Sequence, residues 1–250
     1  MRARCAWLAA CLLALVGVTT PCRAQVSGAG LALGWEDCRT SPGAGLANRN
    51  FSCGVSLTDL PLVPTLRLID PVDSVLAVEL VVDVVVAGST LPTWWNMQPG
   101  GCHGSPSGWG VSLATTTSCA DPWLGRAAGS TTWLETFPGS TSNRGRLLVA
   151  MATLPGTMAR FDSGAPLAVA RLALRSDNSL TCAGCSAPAC LVFNSLLIRR
   201  FPGSLWEEAT VTTEEVAGAT RVTWQGGLGA DCAAVPTRRS TWGAVKSLYR

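Results

Sequence analysis

The chain has 250 residues, 48% of them hydrophobic, and a formal net charge of +3. This length accommodates one large β domain or two small ones. After residue 24 no stretch of 18 residues is both apolar and uncharged, so we predict no transmembrane helix in the mature chain.

The first 24 residues have the three-part layout of a secretory signal peptide. Arg2 and Arg4 form a positive start, residues 6–18 are apolar and uncharged, and Ala24 ends a small-residue cleavage site. Cleavage there removes three of the 19 basic residues, so 16 basic residues face 16 acidic ones in the mature chain. A neutral protein has no electrostatic reason to bind nucleic acid or an anionic membrane. We therefore predict an exported protein, secreted or held at the cell surface, with no membrane insertion after cleavage.

Residues 25–240 are predicted to form a single antiparallel β-sandwich domain with long, disulfide-tied loops. The strongest strand signal is residues 76–86, where apolar side chains alternate and Glu79 and Asp83 fall on the other face. Such alternation is typical of a sandwich strand with one buried face and one face in water. Six weaker strand signals, separated by turn residues, are 31–35, 62–69, 146–153, 167–174, 191–198 and 219–225. Seven or more short strands with this punctuation predict an all-β fold.

The tryptophans are the unusual feature of the composition. A long Gly-, Ser- and Thr-rich region, residues 99–145, is predicted to be irregular, and such loops are functional or tied down. Five tryptophans in or beside it are Trp94, Trp95, Trp109, Trp123 and Trp133. We predict that these five form a ligand-binding platform on which sugar rings can stack, and core packing is the alternative. Three further tryptophans, Trp35, Trp206 and Trp224, are predicted to be core.

Eight cysteines remain after removal of the leader, and an even number in an exported chain indicates complete pairing. Proximity in sequence favours the bridges Cys38–Cys53, Cys102–Cys119, Cys182–Cys190 and Cys185–Cys232. Each of the first two closes a short loop, worth about 3 kcal/mol in the chain-entropy model. Eight cysteines permit 105 connectivities, so the pairing of the last four stays open.

Cys182-Ala183-Gly184-Cys185 also allows two other interpretations, a redox dithiol and a zinc site completed by Cys190 and Cys232. A redox dithiol usually opens a helix in a βαβ unit, whereas strand signals flank this motif. An oxidising compartment favours disulfides over thiolate zinc. We therefore predict neither a metal nor a cofactor.

No catalytic residues are predicted. His103 is the only histidine and has no nucleophile motif beside it, so we expect a solvated loop side chain. The candidate carboxylates for glycoside hydrolysis are Asp70, Asp73, Asp121, Glu135, Glu207 and Glu208, and their spacing is not diagnostic. The alternative of a secreted carbohydrate-active enzyme would require Asp121 and Glu135 to face each other beside Trp123 in a deep groove.

Residues 241–250 are predicted to form a short amphipathic helix. Trp242, Val245 and Leu248 fall on one face, while Lys246 and Arg250 suit the negative C-terminal end of the helix dipole. Two roles stay open for this helix, a cap on the sandwich or a recognition tag for sorting.

The cysteine motif at residues 182–185, followed by Cys190-Leu191-Val192, occurs together with the terminal segment 241–250, Thr-Trp-Gly-Ala-Val-Lys-Ser-Leu-Tyr-Arg. With Trp35-Glu36-Asp37-Cys38 and Leu91-Pro92-Thr93-Trp94-Trp95, these motifs resemble a group of uncharacterised secreted bacterial proteins. The single lysine beside 18 arginines also indicates a bacterial origin. The resemblance covers most of the mature chain and implies no catalytic residues.

The strand layout also resembles that of cohesin-type sandwiches, which bind partner modules without chemistry. This likeness is at the level of the fold alone. The sequence thus predicts an exported non-catalytic binding or structural module of the cell surface or extracellular space. Its partner is expected to be a glycan or a protein.

Overall fold

A computed structural model describes residues 23–25, 28–39, 45–55, 59–98, 100–103, 109–114, 117–154, 156–174 and 182–233. These residues form fourteen strands: β1 (Arg23–Gln25), β2 (Gly30–Trp35), β3 (Asn48–Arg49), β4 (Leu60–Arg67), β5 (Val72–Val86), β6 (Trp109–Ser112), β7 (Ala127–Leu134), β8 (Arg144–Thr153), β9 (Ala159–Phe161), β10 (Pro166–Ala168), β11 (Arg171–Leu174), β12 (Ala189–Arg200), β13 (Glu207–Val211) and β14 (Arg221–Trp224). Two 3₁₀ turns cover Thr93–Trp95 and Gln225–Gly227. The helix predicted over residues 241–250 and most of the predicted leader lie outside the described ranges.

The larger sheet is built around the two longest strands, β5 and β12, which pair antiparallel along their length. On the far side of β12 lie β13 and β14, paired with successive stretches of it. On the far side of β5 lie β8 and β9, and β7 pairs with β8 at the edge. Two short parallel additions complete the nine strands, β1 on β13 and β3 on β14.

The smaller sheet is centred on β4, with β2 on one side and β10 and β11 in succession on the other. β6 pairs with β11 at the edge. The single strand predicted over residues 167–174 is therefore interrupted at Val169 and Ala170, which lie between β10 and β11. Every other predicted strand is present, with bounds that differ by a few residues.

The two sheets pack face to face around one apolar core. The alternating residues Leu80, Val82 and Val84 on β5 are fully buried, as are Leu62 and Leu66 on β4 of the other sheet. Their alternation is what places them all on the inner face of a pleated strand. The all-β sandwich expected from the sequence is confirmed.

The region of residues 99–145, predicted to be irregular, contains two strands. β7 pairs with β8 over all eight of its residues, and β6 joins the smaller sheet. Trp133 on β7 is buried because its ring lies over Gly145 of β8, where an added Cβ would come within 2.0 Å of the ring. Most residues of β7 are small or polar, so the sequence lacks the apolar alternation that predicts a strand.

Asp83 was expected to face water, and this prediction is wrong. Its side chain is only 1% exposed and forms a bidentate ion pair with Arg146 of β8, at 2.6 and 2.9 Å. The Arg146 guanidinium carbon also lies 4.0 Å from the centre of the Phe137 ring. Asp83 and Arg146 are register partners, so the pairing of β5 with β8 creates the ion pair.

All eight described cysteines form disulfides, but none of the four predicted bridges is present. The observed pairs are Cys38–Cys119, Cys53–Cys185, Cys102–Cys182 and Cys190–Cys232, with sequence separations of 81, 132, 80 and 42 residues. Proximity in sequence did not predict the pairing, because the fold brings together cysteines that are far apart in the chain. Since these cysteines are oxidised, the zinc and redox dithiol interpretations of residues 182–185 are also excluded.

Candidate functional site

The five tryptophans predicted as a platform are instead part of the core. Trp94, Trp95, Trp109, Trp123 and Trp133 are between 0 and 6% exposed. The Trp123 indole N–H donates to the carbonyl of Val169 at 2.9 Å, which satisfies its polar atom inside the protein. These five residues therefore offer no surface on which a sugar could stack.

A long-range disulfide and a hydrogen bond connect the segment of the buried Trp94 and Trp95 to the rest of this end of the sandwich. Cys102–Cys182 ties the loop after these tryptophans to the segment before β12, and the Trp94 N–H donates to the Ala183 carbonyl at 3.0 Å. Trp94 then stacks on Trp224 with ring centroids 5.0 Å apart. Trp35 and Trp224 are fully buried, as predicted.

His103 is buried, contrary to the prediction of a solvated side chain. It is 1% exposed, and its Nε2 lies 2.5 Å from the carbonyl oxygen of Trp94. Its ring meets the Trp94 ring edge-to-face at 4.9 Å. The histidine thus helps to fix the tryptophan cluster at this end of the sandwich.

The carboxylate pair required by the hydrolase alternative does not form. Asp121 accepts hydrogen bonds from the backbone N–H groups of Trp123 and Gly125, at 2.9 and 3.0 Å, and so closes a turn before β7. Glu135 directly follows β7 at its other end and borders a cavity of about 300 Å³ with Arg144. Eight strand residues separate them, a distance of roughly 25 Å.

The other predicted carboxylates are surface charges, as expected. Asp70 is exposed, and each of the remaining three forms an ion pair with an arginine. These pairs are Asp73–Arg160, Glu207–Arg200 and Glu208–Arg199.

Trp206, predicted to be core, is instead 64% exposed. It ends the six-residue loop between β12 and β13, beside Leu205, which is 68% exposed. Phe201 at the start of the loop supports the indole, with ring centroids 5.2 Å apart, and its N–H donates to the Ser74 carbonyl at 2.9 Å. Among the eight tryptophans in the described part of the chain, Trp206 alone is exposed.

Trp206 belongs to a row of exposed apolar side chains, which we call the apolar rim. β12 ends, β5 begins, β8 ends and β7 begins at one end of the larger sheet. Three loops at this end carry the rim, whose members are Leu124, Leu154, Met158, Leu205 and Trp206. Since neighbouring strands lie about 4.8 Å apart, the rim spans roughly 19 Å from β7 to β13.

The opposite end of the sandwich has a different construction. Three of the four disulfides lie there, Cys53–Cys185, Cys102–Cys182 and Cys190–Cys232, together with the cluster of Trp94, Trp95 and Trp224. The rim is therefore presented by a domain whose far end is cross-linked. Such exposed apolar groups at loop tips mark interaction sites more often than buried aromatics do.

A cluster of three charges lies on the outer face of the larger sheet, where β5, β12 and β13 run side by side. Arg199 donates to Glu79 at 2.8 Å and lies 3.3 Å from Glu208. Burial raises the pKa of Glu79 above its usual range, Arg199 partly opposes the rise, and Glu208 adds to it. One guanidinium thus contacts two carboxylates, which belong to the two strands that neighbour β12 in the sheet.

A groove of about 1200 Å³ lies between the start of β2 and the loop after β13. Exposed Ile69 and Val216 border it, and Arg67 forms an ion pair with Glu215 across it at 2.9 Å. Because these charges already neutralise each other, the groove is a weaker candidate than the apolar rim.

The surroundings of Glu214 in this groove lower the pKa of its carboxyl. Burial acts to raise its pKa, but the Thr220 hydroxyl, the Gly218 N–H, Arg221 and Arg39 together outweigh that effect. The pKa therefore lies below the usual glutamate value of 4.5. The hydrogen bonds from Thr220 and Gly218 measure 2.6 and 2.7 Å.

We predict that Glu214 contributes to acid sensitivity. A carboxyl whose pKa is depressed by folding stabilises the protein above its unfolded pKa of about 4.3, and this stability is lost as pH falls through the folded value. Glu214→Gln and Thr220→Val should both lower the melting temperature near pH 7. The decrease in melting temperature below about pH 4.3 should be smaller in both variants than in the wild type. Thermal melts of the three proteins across this range check the prediction, and parallel curves for all three would contradict it.

Fold and site together define the class of protein: an all-β sandwich cross-linked by four disulfides, which indicate an oxidising, extracellular environment. Comparisons with protein-family models, with curated proteins and with solved structures found no significant match to the chain. Within the described ranges no group of three or more His, Cys, Asp or Glu side chains could hold a metal ion. The same ranges contain no helix that is long and apolar enough to cross a membrane.

Proposed function

We propose that the protein is exported through an N-terminal signal peptide and acts outside the bacterial cell, or at its surface, as a non-catalytic binding module. The observation that supports this most is the exposure of Trp206 and Leu205 at the apolar rim. An exposed tryptophan backed by a second aromatic ring is a large, rigid contact surface with little entropy to lose on binding. Such residues dominate the binding energy of interfaces, and the same indole face can stack on a sugar ring.

Trp206→Ala is predicted to leave folding intact and to weaken binding. The side chain makes few core contacts, so the free energy of unfolding should change by about 0.5 kcal/mol or less. A hot-spot truncation of at least 2 kcal/mol corresponds to an affinity loss of about thirty-fold. We would select ligands of the wild-type protein from a glycan array and a displayed peptide library, and then measure the dissociation constants for both forms.

Leu228→Ala is the matched control, because Leu228 is an exposed apolar residue at the disulfide-bonded end of the sandwich. It should bind every selected ligand as the wild type does, whereas Leu205→Ala should weaken binding as Trp206→Ala does. Ligands that tolerate both rim substitutions would place the binding site elsewhere. Hydrolysis of an arrayed glycan by the wild-type protein would contradict the non-catalytic assignment.

A further inference from the structure

The cavity bordered by Glu135 and Arg144 lies between two loops at the disulfide-bonded end of the sandwich. One loop follows β5, and the other joins β7 to β8. The Leu91 N–H donates to the Ser142 carbonyl at 2.7 Å, and the Ser142 hydroxyl donates to the Ser89 carbonyl at 2.7 Å. These hydrogen bonds join the two loops directly, so the walls of the cavity are held in place by the protein itself.

Arg144 is the buried charge of this cavity. The residue is only 9% exposed, and its Nη2 donates to the Asp231 carboxylate at 3.0 Å. The other terminal nitrogen, Nη1, is buried and has no hydrogen-bond partner among the described residues. A buried guanidinium N–H without an acceptor is unfavourable, and each such group in a native protein requires an explanation. An oxygen atom of a ligand in the cavity would be such an acceptor.

Glu135 is a carboxylate acceptor on the same cavity. Among the described residues it has neither a hydrogen bond nor an ion pair, and so it is not joined to Arg144. The cavity therefore contains a charged donor and a charged acceptor that do not satisfy each other. A ligand between them must accept from a guanidinium and donate to a carboxylate. Two neighbouring hydroxyl groups meet both requirements.

The rest of the lining is uncharged and mostly polar. Its hydroxyl and amide side chains belong to Thr90, Thr93, Asn96, Thr136 and Ser142. Leu91 and Pro92 add apolar surface, against which C–H groups can pack. Because the charges of Glu135 and Arg144 are opposite, the lining has no net charge that would attract an ion. The volume of about 300 Å³ lies at the lower limit for ligand pockets, which restricts the occupant to one small unit.

We propose that this cavity binds a neutral sugar unit at the end of a glycan, with one hydroxyl accepting from Arg144 and a neighbouring hydroxyl donating to Glu135. A sugar ring combines adjacent hydroxyl groups, which both donate and accept, with C–H groups that pack on apolar side chains. An anion is disfavoured by Glu135 and a cation by Arg144. The site goes beyond the proposed function, because it lies at the end opposite the apolar rim and does not use Trp206.

Amide chemical shifts test the site with defined probes. We would titrate the isotope-labelled, oxidised protein with the methyl glycosides of glucose, galactose, mannose, rhamnose and N-acetylglucosamine, each to about 50 mM. Acetate and methylammonium serve as charged probes at the same concentration. At least one glycoside should shift the amides of residues 90–96 and 135–144 in a saturable way, and the charged probes should not. The proposal is wrong if no glycoside shifts these amides, or if a charged probe shifts them more than every glycoside does.

Two substitutions test the assigned contacts. Glu135→Gln keeps the shape of the side chain and removes its charge, whereas Arg144→Lys keeps the charge beside Asp231 and removes the second terminal N–H group. Each should weaken binding of the glycoside about ten-fold, because a hydrogen bond to a charged group is lost. Glu207→Gln and Arg160→Lys are the matched controls at the opposite end of the sandwich, and both should bind as the wild type does. Wild-type affinity in Glu135→Gln would overturn the proposal.

The failure of this site can be distinguished from the failure of the apolar rim. Since Glu135 has no partner to lose, Glu135→Gln should melt at the wild-type temperature, and it remains decisive even if Arg144→Lys is less stable. Trp206→Ala should bind the glycoside normally. If Trp206→Ala releases the glycoside and Glu135→Gln does not, the sugar is bound at the rim and the present proposal is wrong. If only Glu135→Gln and Arg144→Lys release it, and every other selected ligand tolerates the rim substitutions, this site stands and the rim proposal is wrong.

Discussion

Replacement of Asp83 by alanine should lower the free energy of unfolding by about 3–5 kcal/mol, the usual result when one partner of a buried ion pair is removed. Arg146 is only 3% exposed and its Nε and Nη2 donate to the two carboxylate oxygens. Without Asp83 the buried guanidinium loses both carboxylate acceptors, and the uncharged Phe137 ring cannot replace them. The uncompensated charge, and not the lost contact, is the main cause of the expected effect.

The double variant Asp83→Leu with Arg146→Met separates these two causes. It removes both charges and keeps an apolar volume, so its stability should lie within about 1–2 kcal/mol of the wild type. Asp73→Ala is the control, because Asp73 forms its ion pair with Arg160 where both side chains are more than half exposed. That change should cost less than about 1 kcal/mol.

Chemical denaturation of the oxidised proteins provides the measurement. A small effect of Asp83→Ala would mean that water reaches Arg146. Equal losses in the single and double variants would show that packing and not charge is responsible.

The strands could be predicted from the sequence because their signal is local. Alternating apolar residues place β5 in the sheet without knowledge of any other strand, and turn residues separate the weaker strands. The same rule failed for Asp83, since alternation identifies the two faces of a strand but not what covers the outer one. Only the register with β8 reveals that Arg146 lies opposite.

The local sequence could not show which tryptophans are buried and which are exposed. Trp94 is buried by contacts with Trp224 and by a disulfide that joins residues 80 positions apart, so its neighbourhood in sequence is uninformative. For Trp206 a signal was present: Pro202-Gly203-Ser204 marks a turn just before it, and an aromatic residue beside such a turn is a candidate for exposure. The exposure of Trp206 was therefore partly predictable from the sequence, whereas the burial of the five tryptophans predicted as a platform was not.

Removal of the bridge between Cys102 and Cys182 should also lower the free energy of unfolding strongly. The pair closes a loop with a sequence separation of 80 residues. The chain-entropy model gives about 4.5 kcal/mol for a loop of that length, against about 3 kcal/mol for the local pair predicted from proximity. The same bridge positions the loop that carries His103, so Trp94 should lose its edge-to-face neighbour as well.

Thiol counts distinguish the observed connectivity from the local one even if a variant folds poorly. Cys102→Ser with Cys182→Ser should leave six paired cysteines and no thiol titratable in denaturant, because the other bridges are Cys38–Cys119, Cys53–Cys185 and Cys190–Cys232. Cys102→Ser with Cys119→Ser should instead leave two thiols, one from each broken bridge. The reverse outcome would restore the local pairing, and mass spectrometry of unreduced wild-type digests would give the same answer without any substitution.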